Sequence, residues 1–333
     1  MMMPDTPLAV TLADIEAAAA RLAGHAVLTP LIEDANLTRR HPARLLIKAE
    51  TLQRTGSFKF RGAFNRMRQL DAGQRQAGVV AFSSGNHGQG VAAAARLLGT
   101  TAVVVMPDDA PAIKVERTRA YGAEIRLYDR QREDREAIAR SLAAERNLTV
   151  IPPYDDPAII AGQGTIGLEL CAQARALGAT LDLVLVASSG GGLASGIAMA
   201  LAHHSPDTEI VVVEPEGFDD IARSLITGNR ETNAPGRTSL CDALMSPNPG
   251  ILTLPILRRR VSRGVTVTDS EVEAAMAYAF SDLKLVVEPG GAATLAAVLA
   301  GKVPVAGRTV AVVCSGGNVD PVQFSRILAS AAR

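Results

Sequence analysis

The segment Leu183-Val-Leu-Val-Ala-Ser-Ser-Gly-Gly-Gly-Leu193 joins a wholly apolar run to three glycines and then to an alanine-rich run that continues to His203. This order predicts a buried strand at Leu183–Val186, a tight loop, and a helix at Leu193–His203. Such a loop can hold a phosphate, because glycines let the backbone approach an anion and the helix N-terminus adds partial positive charge. The glycines also fit a simple tight turn, and the GxxxxGK(S/T) pattern of a nucleotide P-loop is missing.

The same alternation extends in both directions from this loop. Short apolar runs interleaved with helices of about 10 to 15 residues predict βαβ units around parallel sheets. Two series of such units, separated at Pro152-Pro153, predict an α/β protein with two lobes, each with a mostly parallel open sheet flanked by helices. Further strands are predicted at Arg44–Lys48, Val79–Phe82, Thr101–Met106, Glu124–Tyr128, Glu209–Val213, Gly264–Val267 and Thr309–Val313. Further helices are predicted at Thr11–Leu22, Phe60–Leu70, Gly88–Leu98, Ala110–Tyr121, Glu133–Glu145, Ile159–Leu177, Asp269–Leu283 and Gly290–Ala300. The stretch 228–260 is predicted to be a loop or a connection between the lobes, and it could lie over a site.

Composition narrows the class of protein. The 333 residues include 34 basic and 34 acidic side chains, so the chain has no basic excess of the kind that binds nucleic acid. Three cysteines without metal-type or redox-type spacing argue against a disulfide framework or a zinc site. No secretory signal and no membrane-spanning run is recognisable, so we expect a cytoplasmic protein whose partner is a small molecule.

Three other loops carry candidate chemistry. In Thr55-Gly-Ser-Phe-Lys-Phe-Arg-Gly62, Lys59 stands between two phenylalanines, which would desolvate its amine and make it a better nucleophile. In Phe82-Ser-Ser-Gly-Asn-His-Gly-Gln89, the Ser83 hydroxyl, the Asn86 amide, the His87 ring and the helix amides could bind a carboxylate. Val313-Cys-Ser-Gly-Gly-Asn-Val-Asp320 is another strand followed by glycines. Each loop also has an ordinary explanation, a surface lysine or a capped turn, but ligands of parallel α/β sheets bind at the carboxyl ends of strands.

Taken together in this order, four motifs resemble those of the pyridoxal-phosphate enzymes with the tryptophan synthase β fold, also called fold-type II. They are Ser57-Phe-Lys-Phe-Arg-Gly62, Ser83-Ser-Gly-Asn-His-Gly88, Gly190-Gly-Gly-Leu193 and Ser315-Gly-Gly-Asn318. The chain is most similar to the serine racemase and threonine/serine dehydratase group, from about Leu12 to Leu328. The resemblance implies a large cofactor-binding domain formed by residues 1–75 and 150–333. It also implies a small mobile domain, residues 76–149, that closes over the substrate.

The resemblance assigns the cofactor, pyridoxal 5'-phosphate, to named residues. Lys59 forms the covalent link to the cofactor, and Phe58 lies against the ring. Asn86 bonds the ring hydroxyl, Ser315 faces the pyridine nitrogen, and Glu288 lies near the ring. The amides of Ser189, Gly190, Gly191, Gly192 and Leu193 take the phosphate. The family usually has glycine at position 189, and serine is tolerable there if its φ is negative.

The implied reaction is removal of water and ammonia from a β-hydroxy amino acid, with Lys59 as the base, to give a 2-oxo acid. The substrate carboxylate is held by Ser83, Asn86 and His87, and L-threonine and L-serine are the default substrates. Two alternatives stay open. Ser84 matches the racemase serine that can return a proton to Cα, although it also fits a helix cap. Arg135, with Ser246, could instead bind a second carboxylate as in 3-hydroxyaspartate, although Arg135 also fits a solvated helix face.

The resemblance further implies a divalent cation and a homodimer. Glu214, Asp220 and the Phe218 carbonyl would form an oxygen ligand set suited to Mg²⁺, or to Ca²⁺ or Mn²⁺. A solvated acidic loop is the alternative for this segment. Two other functions remain to be separated by experiment: a catalytically silent pyridoxal-phosphate sensor, and β-replacement with a thiol. Retention of Lys59 argues against the sensor, and Asn86-His87 in place of an Asn-Thr pair argues against the replacement enzyme.

Overall fold

The computed structural model describes residues 7–34, 38, 42–83, 85–110 and 112–331. It confirms the α/β class with two separate, mostly parallel sheets flanked by helices. The strands are β1 (Leu31–Glu33), β2 (Arg44–Ala49), β3 (Val79–Phe82), β4 (Ala102–Pro107), β5 (Glu124–Tyr128), β6 (Thr149–Val150), β7 (Leu183–Ala187), β8 (Glu209–Pro215), β9 (Arg263–Val267) and β10 (Thr309–Cys314). The helices are α1 (Leu12–Leu22), α2 (Lys59–Met67), α3 (Ala72–Ala77), α4 (Asn86–Leu98), α5 (Ala112–Ala120), α6 (Arg135–Arg146), α7 (Pro157–Ala176), α8 (Gly192–His204), α9 (Asp220–Thr227), α10 (Thr253–Arg260), α11 (Asp269–Ser281), α12 (Pro289–Leu299) and α13 (Pro321–Ala331).

The larger sheet has six strands in the order β1-β2-β10-β7-β8-β9, and only β1 runs antiparallel to its neighbour. Its central strand β7 is buried along its whole length. Leu183 and Leu185 pack into the hydrophobic core on one face of the sheet, whereas Val184 and Val186 pack into the core on the other. Coverage of both faces explains why this strand reads as an unbroken apolar run rather than as an alternating one.

The smaller sheet has four parallel strands in the order β5-β4-β3-β6 and comes entirely from the stretch between Val79 and Val150. We call this stretch with its helices the small-sheet unit, and the rest of the described chain the large-sheet unit. The carboxyl end of β3 leads into α4, as the carboxyl end of β7 leads into α8. Both helix N-termini therefore lie at the carboxyl edge of a sheet, where parallel α/β proteins bind ligands.

The prediction of a continuous loop over 228–260 is wrong at its end, because Thr253–Arg260 forms helix α10. Pro255 lies in the first turn of that helix, where its missing N–H breaks no helical hydrogen bond. The side chain of Asp155 accepts from the amides of Ile251 and Leu252 just before the helix.

Several short elements were not predicted from the sequence: the strands β1 and β6 and the helices α3, α9 and α13. Within the described residues, no helix is both long and apolar enough to span a membrane.

Candidate active site

One cavity lies between the two sheets and collects residues from all four loops that the sequence singled out. Its walls come from the ends of β3, β7 and β10, the start of α2, and the segment Asp242–Ser246, which we call the substrate wall. Predicted site residues that line it are Phe58, Lys59, Ser83, Asn86, His87, Arg135, Ser189, Gly190, Gly191, Gly192, Leu193, Ser246, Glu288 and Ser315. Ser84 lies outside the described residues. Lys114, Tyr154 and Asp242 also line the cavity and were not predicted.

Lys59 begins helix α2 and extends its side chain into the cavity. Its Nζ donates to the carbonyl of Pro153 at 2.7 Å, and it lies 5.1 Å from the centre of the Phe58 ring. Desolvation by the surrounding protein lowers the pKa of Lys59 from 10.5 to about 8. A larger share of the amine is therefore neutral, and hence nucleophilic toward an aldehyde, than for an ordinary lysine.

This lowered pKa predicts how the cofactor-free protein takes up pyridoxal phosphate. Only the neutral amine attacks the aldehyde, so the rate constant should rise with pH and level off above about 8, the pKa of Lys59. Stopped-flow absorbance of the lysine-bound cofactor measures this rate constant across pH. Nα-acetyl-lysine, whose amine is solvated, serves as the reference. A midpoint shared with the reference compound would contradict the desolvated environment of Lys59.

The glycine loop is shaped by close backbone packing. A Cβ atom on Gly190 would clash with the ring of Tyr154, and Gly191 has a φ of +91°. The described non-glycine residues with positive φ do not include Ser189, so serine is accommodated there. The amides in the first turn of α8 have no acceptor within the helix. The loop therefore forms a side-chain-free cradle at a helix N-terminus, which suits the cofactor phosphate.

Asn86 takes part in a chain of buried hydrogen bonds beside Lys59. Its Nδ2 donates to Oε1 of Glu288, and its Oδ1 accepts from Nδ2 of Asn318 at 2.8 Å. Burial raises the pKa of Glu288 to about 7, and its Oε2 is a buried atom without a hydrogen-bond partner. Asn318 belongs to the fourth motif, but no role was predicted for it. It lies 232 residues from Asn86 in the chain, and no sequence pattern indicates a contact over that separation.

The His87 ring was expected to bind the substrate carboxylate, but in the structure it bonds the backbone instead. Nε2 lies 2.9 Å from the carbonyl of Ile151, so this nitrogen must carry the hydrogen, because a carbonyl can only accept. Burial lowers the pKa of His87 to about 3, which keeps the ring neutral. Nδ1 is then an acceptor and cannot bond a carboxylate. The contribution of His87 to anion binding is therefore limited to its backbone amide, in the first turn of α4.

Arg135 is the first residue of helix α6 and faces the cavity. Its guanidinium lies 5.7 Å from the centre of the Phe82 ring. Within the described residues, no carboxylate lies within ion-pair distance of Arg135, whereas Lys114 is paired with Asp242. Ser246 and Tyr154 line the same cavity. Burial raises the pKa of the Tyr154 hydroxyl above its usual value, and the hydrogen bond with Ser246 and the charge of Arg135 offset part of this rise. The cavity thus contains an unpaired, permanently charged group beside two hydroxyls.

The three residues predicted to bind a metal lie apart from this cavity. Glu214 is fully buried, and its two oxygens accept from the amides of Ile221 and Ala222 at 3.0 and 2.8 Å. Burial and the nearby Asp220 carboxylate raise the pKa of Glu214, and burial raises the pKa of Asp220 to about 7. Asp220 Oδ2 is buried without a hydrogen-bond partner, and a carboxylate oxygen is a ligand type that divalent cations such as Mg²⁺ and Ca²⁺ prefer. The described residues contain no cluster of three or more His, Cys, Asp and Glu, so a cation here would also need carbonyl or water ligands.

Comparison with known proteins identifies the family to which the chain belongs. Residues 22–316 match the family model described as pyridoxal-phosphate dependent enzyme. The chain is 45% identical to an L-threo-3-hydroxyaspartate ammonia-lyase of Pseudomonas sp over 95% of this chain and 97% of that protein. Among solved structures, it resembles a T.th. threonine deaminase, with 44% identity, a TM-score of 0.87, and coverage of 93% of this chain and 99% of that one. It also resembles maize serine racemase, with 35% identity, a TM-score of 0.90, and coverage of 97% and 98%.

Proposed function

The chain belongs to the family of pyridoxal-phosphate dependent enzymes and is an ammonia-lyase of that family, and we propose that its preferred substrate is L-threo-3-hydroxyaspartate. The enzyme removes water and ammonia from a β-hydroxy amino acid. The observation that carries the proposed substrate is the unpaired Arg135 guanidinium in the cavity. A relative of Pseudomonas sp that is 45% identical has this activity by name.

Arg135 favours a substrate with a second carboxylate for an electrostatic reason. A partly buried guanidinium without a carboxylate partner is costly unless a ligand supplies the negative charge. Threonine has a methyl group on its β-carbon and serine has only hydrogen there, so neither supplies a second negative charge. A β-carboxylate can accept two parallel hydrogen bonds from the guanidinium, with the Ser246 and Tyr154 hydroxyls as further donors.

The residues present fit the cofactor: a desolvated lysine, a phosphate cradle, and a cavity between them. We assign the covalent link to Lys59, the ring contacts to Phe58, Asn86, Glu288 and Ser315, and the phosphate to the amides of the glycine loop and Leu193. When bound, the cofactor delocalises the negative charge that develops at the substrate Cα.

The protein's own groups then divide the remaining tasks. The amides in the first turn of α4, with Ser83 and Asn86, hold the substrate α-carboxylate. This anchoring presents the Cα proton to Nζ of Lys59, whose lowered pKa suits a base near neutral pH. The proton taken from Cα balances the β-hydroxyl, which leaves as water. Addition of one water molecule to the unsaturated product then releases ammonia and leaves a 2-oxo acid.

A second candidate activity is racemisation, because Ser84 matches the serine of racemase relatives, and maize serine racemase is 35% identical. A hydroxyl on the face of Cα opposite Lys59 would donate a different proton to Cα and so invert its configuration. We propose this as a side activity.

We also propose that Glu214, Asp220 and the Phe218 carbonyl hold Mg²⁺, Ca²⁺ or Mn²⁺. The unpartnered oxygen of Asp220 supports this proposal. From the family resemblance we further propose a cytoplasmic homodimer in which residues 76–149 form the mobile domain.

A substrate panel tests the proposed function. Purified protein with pyridoxal phosphate and Mg²⁺ is incubated separately with L-threo-3-hydroxyaspartate, L-threonine, L-serine and D-serine, and ammonia and chirality are measured. We expect kcat/KM for hydroxyaspartate to exceed that for threonine by about tenfold or more, the worth of one charge-assisted hydrogen bond. Faster turnover of threonine would assign the protein to the threonine dehydratases. Conversion of L-serine to D-serine would make Ser84 catalytic, and no turnover at all would favour the silent sensor.

A further inference from the structure

Lys114 joins the two units of the molecule at the edge of the cavity. It projects from helix α5 of the small-sheet unit, and its Nζ lies 2.5 Å from Oδ2 of Asp242 in the substrate wall. Lys114 is only 6% exposed. Burial by itself lowers the pKa of Lys114. The negative charges of Asp242 and Glu288 have the larger combined effect, so the pKa of Lys114 is raised above its usual value. The ammonium therefore stays charged, and the ion pair forms a contact between units across the cavity.

The Lys114 side chain also touches the loop that holds the substrate α-carboxylate. A Cβ atom on Gly85 would lie 2.9 Å from Cδ of Lys114 and 3.4 Å from its Nζ. The lysine thus lies directly against the backbone just before α4. The side chain of Lys114 therefore lies between this loop and Asp242.

A second contact ties the same helix to the large-sheet unit. One turn after Lys114, Nη1 of Arg117 donates to Oδ1 of Asn318 at 3.1 Å. Asn318 in turn donates to Asn86. Helix α5 is therefore attached at two points to the large-sheet unit: at Asp242, which lines the cavity, and at Asn318, which bonds Asn86.

We propose that Lys114 is a positioning residue that ties the carboxylate-binding loop to the substrate wall through Asp242, and so holds the two units closed around the α-carboxylate. The proposal rests on the proposed function only in requiring an amino-acid substrate. Because every such substrate has an α-carboxylate, the effect of Lys114 is common to substrates with and without a second carboxylate. This separates its role from that of Arg135, which acts on the β-carboxylate alone.

The test compares K114M, K114R, D242N and the double variant K114M/D242N in the holoenzyme, with L-serine and L-threo-3-hydroxyaspartate as substrates. We expect K114M and D242N each to raise KM by about tenfold for both substrates, with kcat changed less than about threefold. K114R keeps the charge and should restore KM to within about threefold. The double variant should be no worse than either single variant, because both remove the same interaction.

Arg119→Met, on the exposed face of the same helix, is the matched control and should leave KM unchanged. An unchanged KM in both K114M and D242N would overturn the proposal, as would a loss confined to kcat and melting temperature. Additive losses in the double variant would also overturn it. If K114M does not fold, D242N carries the same expectation. A wild-type enzyme that prefers serine would contradict the proposed substrate but leave this test intact.

Discussion

Replacement of Lys59 by alanine is expected to lower kcat for ammonia release by about a thousandfold or more, because in the proposed assignment this one change removes both the covalent link and the base. Nζ of Lys59 is a cavity-facing amine with a pKa lowered to about 8. The substitution should also remove the visible absorption band of the lysine-bound cofactor. Phosphate contacts with the glycine loop should survive, so weak cofactor binding should remain detectable by equilibrium dialysis.

Lys302→Ala is the matched control for this substitution. Lys302 lies on the surface in an ion pair with Glu271, and its loss should change kcat by less than about twofold. Circular dichroism and melting temperature verify that both variants fold. Ammonia release by K59A within about tenfold of wild type would exclude Lys59 as the base and reopen the choice of catalytic residue.

Replacement of Arg135 by glutamine should lower kcat/KM for L-threo-3-hydroxyaspartate by about 10- to 100-fold. This range corresponds to the loss of a charge-assisted, two-point contact worth about 1.5 to 3 kcal/mol. The same variant should change kcat/KM for L-threonine by less than about threefold, because threonine has no second carboxylate. The selectivity between the two substrates, measured side by side, is therefore the informative quantity.

Arg140→Gln is the control for this variant, because Arg140 lies on the same helix and is exposed in an ion pair with Glu136. It should leave both substrates unaffected. An equal loss of activity toward threonine and hydroxyaspartate in R135Q would mean that Arg135 shapes the cavity rather than selects the substrate. R135K should recover only part of the selectivity, because an ammonium cannot make the parallel hydrogen bonds of a guanidinium.

Helix α6 illustrates why the sequence left the role of Arg135 open. Arg135 lies in a charged run, and neighbouring members of that run, such as Arg132 and Arg140, are exposed. The first residue of the helix nevertheless faces the cavity, because the helix begins at the carboxyl edge of the small sheet. The ring of His87 is the opposite case. A histidine at this position suggested an anion ligand, but the ring N–H at Nε2 donates to the carbonyl of Ile151 instead.

The features that could be predicted from the amino-acid order are local: the junctions of strand, glycine loop and helix, Lys59 as a candidate nucleophile, and the α/β class. They depend on residues near one another in the chain, such as Leu183 to Leu193, whose apolar run and glycines act together whatever surrounds them. The meeting of distant groups, as in the pairs Lys114 with Asp242 and Asn318 with Asn86, became visible only in three dimensions. Those pairs depend on how the two units pack against each other. Such packing produces no pattern in the sequence around either partner from which the contact could be predicted. Short motifs were therefore enough to predict which residues line the cavity, whereas the contacts between distant residues that join its two sides could be seen only in the structure.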